Sequence, residues 1–172
     1  IYLKLEKFLE LKIYPKNSII KHFDEVETHS RLLVEGIATL HHRNNDGESM
    51  TRMVFCEMDN PFDFLSYTSG KPSPSMFLAR TEVKCLELRK DLEPLVLREI
   101  PEIVELAINI NHGIISKLYH WNTEILSQSK QDAYRAILNL DPKLEDVIHL
   151  KDIQQMLGVG KSTIHRIKNK AK

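Results

Sequence analysis

Only two cysteines occur in the 172 residues, Cys56 and Cys85, and both lie in apolar, strand-like runs. That excludes a disulfide framework and a four-cysteine iron–sulfur cluster built from one chain. No apolar stretch is long enough to span a bilayer and nothing resembles a secretory leader, so the expectation is a cytoplasmic protein with no membrane partner. The sequence opens on Ile1 rather than methionine, and a short preceding piece is expected. Net charge is missing too: 24 basic residues balance 24 acidic ones, which argues against a generally basic nucleic-acid coat. His-x-His spacing is absent. His41 and His42 are adjacent on a presumed strand and should face opposite sides, while His22, His29, His112 and His120 are scattered. No metal, no resident cofactor and no catalytic nucleophile–base set is therefore expected, and the chain reads as a non-enzyme.

What is present is a concentration of positive charge at the end. From Leu150 onward the chain carries +5, leaving −5 on everything before it. In the same stretch Ile153, Met156 and Leu157 follow helical spacing, Gly158 can turn left-handed, and Ile164 and Ile167 resume on a second short helix. That is the pattern of a helix-turn-helix. Gly160-Lys161-Ser162 also matches the end of a phosphate-binding loop, but the glycine such a loop needs five residues earlier is Gln155, and 152–157 reads as a helix rather than a strand.

Upstream, Leu5, Phe8 and Leu9 predict one short helix over 1–11, broken at Tyr14-Pro15. Short β-branched or aromatic runs then follow at 18–23, 31–34, 37–42, 50–56, 76–79 and 83–88, with turns at Glu35-Gly36 and 44–48. They imply a β sandwich or jelly roll. After Pro101 the period lengthens, and Ile103, Ala107, Ile110, Ile114, Leu118, Trp121 and Ile125 form an apolar seam along one long helix. The seam either joins a second copy of the chain or folds back on its own sandwich. A hinge is expected at 127–130, and Ala133, Ile137 and Leu140 mark a further helix before Pro142.

In this order of parts the chain resembles the Crp/Fnr transcription regulators over nearly its whole length. Asp152-Ile153, Leu157-Gly158-Val159 and 162–167 look like their DNA-binding signature. The resemblance implies an α+β chain divided into a cyclic-nucleotide-binding-like jelly-roll sensor (1–92), a dimerisation helix (93–128) and a helix-turn-helix domain (129–172). It further implies a homodimer on double-stranded DNA whose base-reading positions are Lys161, Ser162 and Arg166. Thr163 falls on a phosphate, His165 lies in the same row, and RNA polymerase is a further partner. Two positions depart from the pattern: Gln154 replaces a small residue at the helix crossing, and Gly160 replaces a serine cap.

The cyclic-nucleotide cassette of the family can be laid on 61–76 without gaps. Phe62 then stands in place of its glycine, Asp63 of its glutamate and Ser73 of its arginine, with Ser75 beside them. Without a guanidinium a buried cyclic phosphate loses its bidentate partner. Phe62, Asp63, Ser73 and Ser75 therefore remain an effector pocket only for an unknown small molecule, and cyclic AMP is expected not to bind. An effector-free regulator is the alternative, and a haem- or metal-binding sensor or jelly-roll enzyme a more distant one.

Overall fold

The computed structural model describes residues 2–125 and 129–171. A four-residue helix α1 (Tyr2–Leu5) and a 3-10 turn lead into β1 (Leu9–Tyr14), followed by β2 (Ile19–Lys21), β3 (His29–Glu35), β4 (Ala38–Arg43) and β5 (Ser49–Phe55). Helix α2 (Phe64–Ser69) precedes β6 (Ser75–Ala79) and β7 (Val83–Arg89). The strands form two antiparallel sheets, ordered β1-β7-β3 and β2-β6-β4-β5. Leu33, Ile37, Val54, Phe77, Val83 and Cys85 fill the space between them.

The helix expected over 1–11 holds as a short α-helix and a 3-10 turn to Phe8 and is wrong from Leu9 onward. Leu9 to Tyr14 alternate as well as they repeat, and they pair along β7 from Leu9 opposite Leu88 to Tyr14 opposite Val83. An available sheet edge outweighs weak local helical spacing. The tight connection at Gly36 does follow the sequence. Its φ is 103°, and a Cβ there would stand 2.2 Å from the Glu82 carbonyl oxygen, so no other residue fits.

Helix α3 (Glu93–Glu99), not foreseen from the sequence, precedes the long helix α4 (Ile103–His120), which widens into a π-helical turn over Trp121–Ile125. Ile103 and Leu106 pack beside Leu5, Val96 and Ile100 at one end. Trp121 and Ile125 enter the main core at the other. Among the described residues that follow are four helices: α5 (Lys130–Leu138), α6 (Leu144–Val147), α7 (Leu150–Leu157) and α8 (Lys161–Ala171). The hinge expected at 127–130 falls partly outside the described residues; of the rest, Ser129 caps α5, its Oγ accepting the Asp132 amide at 3.2 Å.

Candidate nucleic-acid interface and effector site

Helices α7 and α8 form the expected helix-turn-helix. Gly158 closes α7 in the left-handed conformation, φ 62°, with amides of Gly158 and Val159 donating to the Gln155 and Gln154 carbonyls. Ile153, Met156 and Leu157 of α7 meet Ile164 and Ile167 of α8 over Ala133, Ile137 and Leu144. Each such side chain contributes about 1.5–3 kcal/mol on full burial, enough to fix the rotation of so short a helix. With Ile164 and Ile167 inward, Lys161, Ser162, His165 and Arg166 are exposed and Thr163 is half-buried on the flank. No described residue engages the side chains of Lys161, Ser162, His165 or Arg166. All five predicted positions thus lie on one short helix, four of them open to solvent.

The back of α7 is fastened to the sandwich. Arg80, in the loop after β6, donates from a terminal nitrogen to Asp152 Oδ1 at 2.6 Å and from Nε to Thr39 Oγ at 3.0 Å. Thr51 Oγ donates to the same Asp152 oxygen at 2.6 Å, and Asp152 Oδ2 accepts the His149 amide at 3.3 Å. Gln155 completes the contact by treating β5 as a strand would. Its Oε1 accepts the Thr51 amide at 2.8 Å and its Nε2 donates to the Ser49 carbonyl at 3.4 Å, so the edge of the sheet is covered. None of these sandwich partners was read from the sequence, where Asp152 counted only as part of a motif.

His41 lies inside this network, 2.8 Å from Thr39 Oγ, while His42 keeps to Ser75. Burial, with help from Arg80 and against the pull of Asp152, holds the His41 pKa down to about 4. Unfolded, it returns to about 6.5, so the unfolded chain binds the proton first. The stability that neutral His41 permits is complete above pH 6.5 and is lost as pH falls from there through 4, roughly 3 kcal/mol in all. NMR titration of the imidazole should give a midpoint near 4, and His41→Gln should remove that part of the acid sensitivity in urea melts.

Of the predicted effector residues Asp63, Ser73 and Ser75 are brought together, around a charge not foreseen from the sequence. Asp63 caps α2, its Oδ1 accepting the Ser66 amide at 3.0 Å, and its other oxygen accepts the Ser73 hydroxyl. Lys21, with its side chain 3% exposed, stands 3.8 Å from that carboxylate. Its ammonium donates to the Ser75 carbonyl at 2.9 Å, the His22 carbonyl at 3.2 Å and Ser73 Oγ at 3.3 Å. Next to it Glu27 accepts from Arg31 at 2.8 Å, and Arg31 also donates to Glu87 at 2.8 Å. Burial alone would lower the Arg31 pKa, but the two carboxylates outweigh it and raise it. Phe62 does not join the polar cluster; its ring packs edge-on against Tyr67, centroids 5.4 Å apart.

The two thiols are free and buried. Burial pushes both Cys56 and Cys85 up to about 12, so each is a thiol rather than a thiolate at neutral pH. Among the described residues no group of three or more His, Cys, Asp or Glu side chains could hold a metal ion, and no helix is long and apolar enough to cross a membrane.

No protein-family model matches this sequence, and no curated protein matches it. Solved structures do match. The c-di-GMP-responsive global regulator CLP of Xanthomonas campestris superposes with a TM-score of 0.74 at 10% identity, over 98% of this chain and 89% of that one. A Crp/Fnr-family regulator from Eubacterium rectale gives 0.72 at 15% identity, over 96% and 79%. FixK2 of Bradyrhizobium japonicum gives 0.69 at 13%, over 94% and 83%. The fold is that of the Crp/Fnr regulators. At these identities the fold is what is shared, and it runs through sandwich, long helix and helix-turn-helix alike.

Within the Crp/Fnr fold the seam expected on the long helix divides. Trp121 is 4% exposed and Ile125 fully buried, both against the chain's own core, so neither is presented to a second copy. Ile103 and Ile114 are half-buried on the same inward side, whereas Ala107, Ile110 and Leu118 are exposed. A second apolar stripe, Val104, Ile108, Ile115, Leu118 and Tyr119, faces outward, with Ile115 63% exposed. Three- and four-residue spacing identifies an apolar stripe without saying what it meets, and this helix carries two of them about a third of a turn apart.

Proposed function

We propose that this chain is a DNA-binding transcription regulator of Crp/Fnr type that acts as a homodimer on an inverted-repeat operator in the cytoplasm. The observation that carries the reading is α8: Lys161, Ser162, His165 and Arg166 line its solvent side, unengaged by any described residue, at the end of the chain that holds the surplus positive charge. Lys161, Ser162 and Arg166 serve as base readers and Thr163 as a phosphate contact. The sensor covers 1–92, the dimer helix 93–128 and the DNA-binding domain 129–172. A mobility-shift titration of the full chain on a duplex pool should show saturable retention with two chains per duplex, whereas retention that disappears at physiological salt would refute specific reading.

The dimer contact belongs to the outward stripe. Val104, Ile108, Ile115 and Leu118 recur at intervals close to the heptad spacing that lets two helices supercoil, and they are free where Trp121 and Ile125 are not. Ile108→Asp with Ile115→Asp should give a folded monomer in sedimentation equilibrium and lower DNA affinity at least about tenfold, because a lone half-site contact loses its avidity. A double variant that still sediments as a dimer would place the contact elsewhere.

A further inference from the structure

The candidate effector pocket is already occupied by the chain itself. An ammonium has three protons to donate, and those of Lys21 all have acceptors: the His22 carbonyl, the Ser75 carbonyl and Ser73 Oγ. Nothing is left on it for a phosphate or carboxylate oxygen. Asp63 is committed in the same way. One of its oxygens caps α2, the other takes the Ser73 hydroxyl and faces Lys21, and its amide donates to Glu27 Oε2 at 3.3 Å. The Ser66 hydroxyl ties the same helix to its surroundings, accepting the Glu27 amide at 2.9 Å and donating to the Lys71 carbonyl at 2.5 Å. Strand β2, the start of helix α2 and the start of β6 therefore converge on one buried ammonium.

We propose that Lys21 is a built-in occupant of the effector position, holding β2, α2 and the start of β6 in one arrangement so that the chain is competent on DNA with no small molecule bound. This rests on the DNA-reading proposal above and deepens it, since it names how the sensor is set. The pocket would otherwise need an outside cation or effector to hold Asp63 and Ser73 in place. Here the cation arrives on a neighbouring strand.

The test uses the full chain carrying Lys21→Ala, which removes the equivalent of an n-propylammonium ion, and Lys21→Met, which keeps the stem and removes the charge. Amide hydrogen exchange over residues 63–76 should quicken about tenfold or more in both variants, because the contacts that close this segment are lost. Exchange in α7 should stay slow. Millimolar n-propylammonium should restore slow exchange and DNA affinity to Lys21→Ala and leave Lys21→Met unchanged, while propanol restores neither. Cyclic AMP titrated into the unaltered chain should give no calorimetric signal. Unchanged exchange in both variants, or micromolar binding of cyclic AMP to the unaltered chain, would overturn the assignment; so would loosened exchange with unaltered DNA affinity. If the unaltered chain bound no DNA, the DNA-reading proposal would fall, and the exchange and rescue measurements would still decide the role of Lys21.

Discussion

Arg80→Leu should cost the folded chain roughly 3–5 kcal/mol, the usual result of stranding one member of a buried ion pair. The expectation follows from where the partner is left. Asp152 is 6% exposed, and among the described residues Arg80 supplies the only charge facing it at hydrogen-bond distance, 2.6 Å away. With the guanidinium gone, Thr51 Oγ and the His149 amide remain, two neutral donors for a carboxylate that is largely shielded from water. Arg80→Leu combined with Asp152→Leu should recover most of the loss, because a buried pair replaced by apolar side chains is often neutral. Urea melts of the two single variants and the double variant make the test. The coupling they return measures how firmly the DNA-binding end is fastened to the sandwich, since Arg80 and Asp152 lie 72 residues apart on opposite sides of that contact. Equal, additive losses would mean that the ion pair does not fasten the helix-turn-helix, leaving its apolar packing and the Gln155 hydrogen bonds to hold it.

Removal of the reading side chains should act on the opposite property, affinity without stability. Lys161→Ala and Arg166→Ala should each weaken specific DNA binding by roughly 1–3 kcal/mol, about 5- to 150-fold, the range for loss of a good base contact. Both residues are exposed and meet no described side chain, so their removal should change the urea midpoint very little. Thr163→Ala should behave differently, weakening every duplex to a similar degree because a phosphate contact carries no sequence information. Anisotropy titrations on matched specific and random duplexes separate the two kinds of loss. Equal losses on both duplexes for Arg166→Ala would take that residue out of base reading.

The parts that could be read from the sequence are those whose cause is local. Gly158 between two runs of helically spaced aliphatics predicts the turn, and the turn sets which side of α8 Lys161 and Arg166 occupy. The sandwich strands from β2 onward were legible for the same reason, with alternation and turn residues lying within a few positions of each other. What could not be read depends on distant partners. Leu5, Phe8 and Leu9 satisfy helical spacing, yet Leu9 onward is claimed by β7 more than seventy residues later. The long helix showed its apolar seam but not that Trp121 and Ile125 turn inward while Ile108 and Ile115 turn outward. Lys21 and Arg80 gave a weak signal, a cation in or beside an otherwise apolar run, and only the folded chain supplies Ser73, Asp63 and Asp152 as the reasons they can be buried.

Sequence-specific reading of DNA by a ligand-free dimer is the central property proposed for this chain. The direct measurement is selection of binding sites from random duplex DNA by the purified full chain, with no small molecule added and at near-physiological salt, where nonspecific phosphate attraction is weak. An inverted repeat with half-sites about one helical turn apart is the predicted result. Enrichment of no sequence by a folded dimer, or enrichment only after a small molecule is supplied, would contradict it.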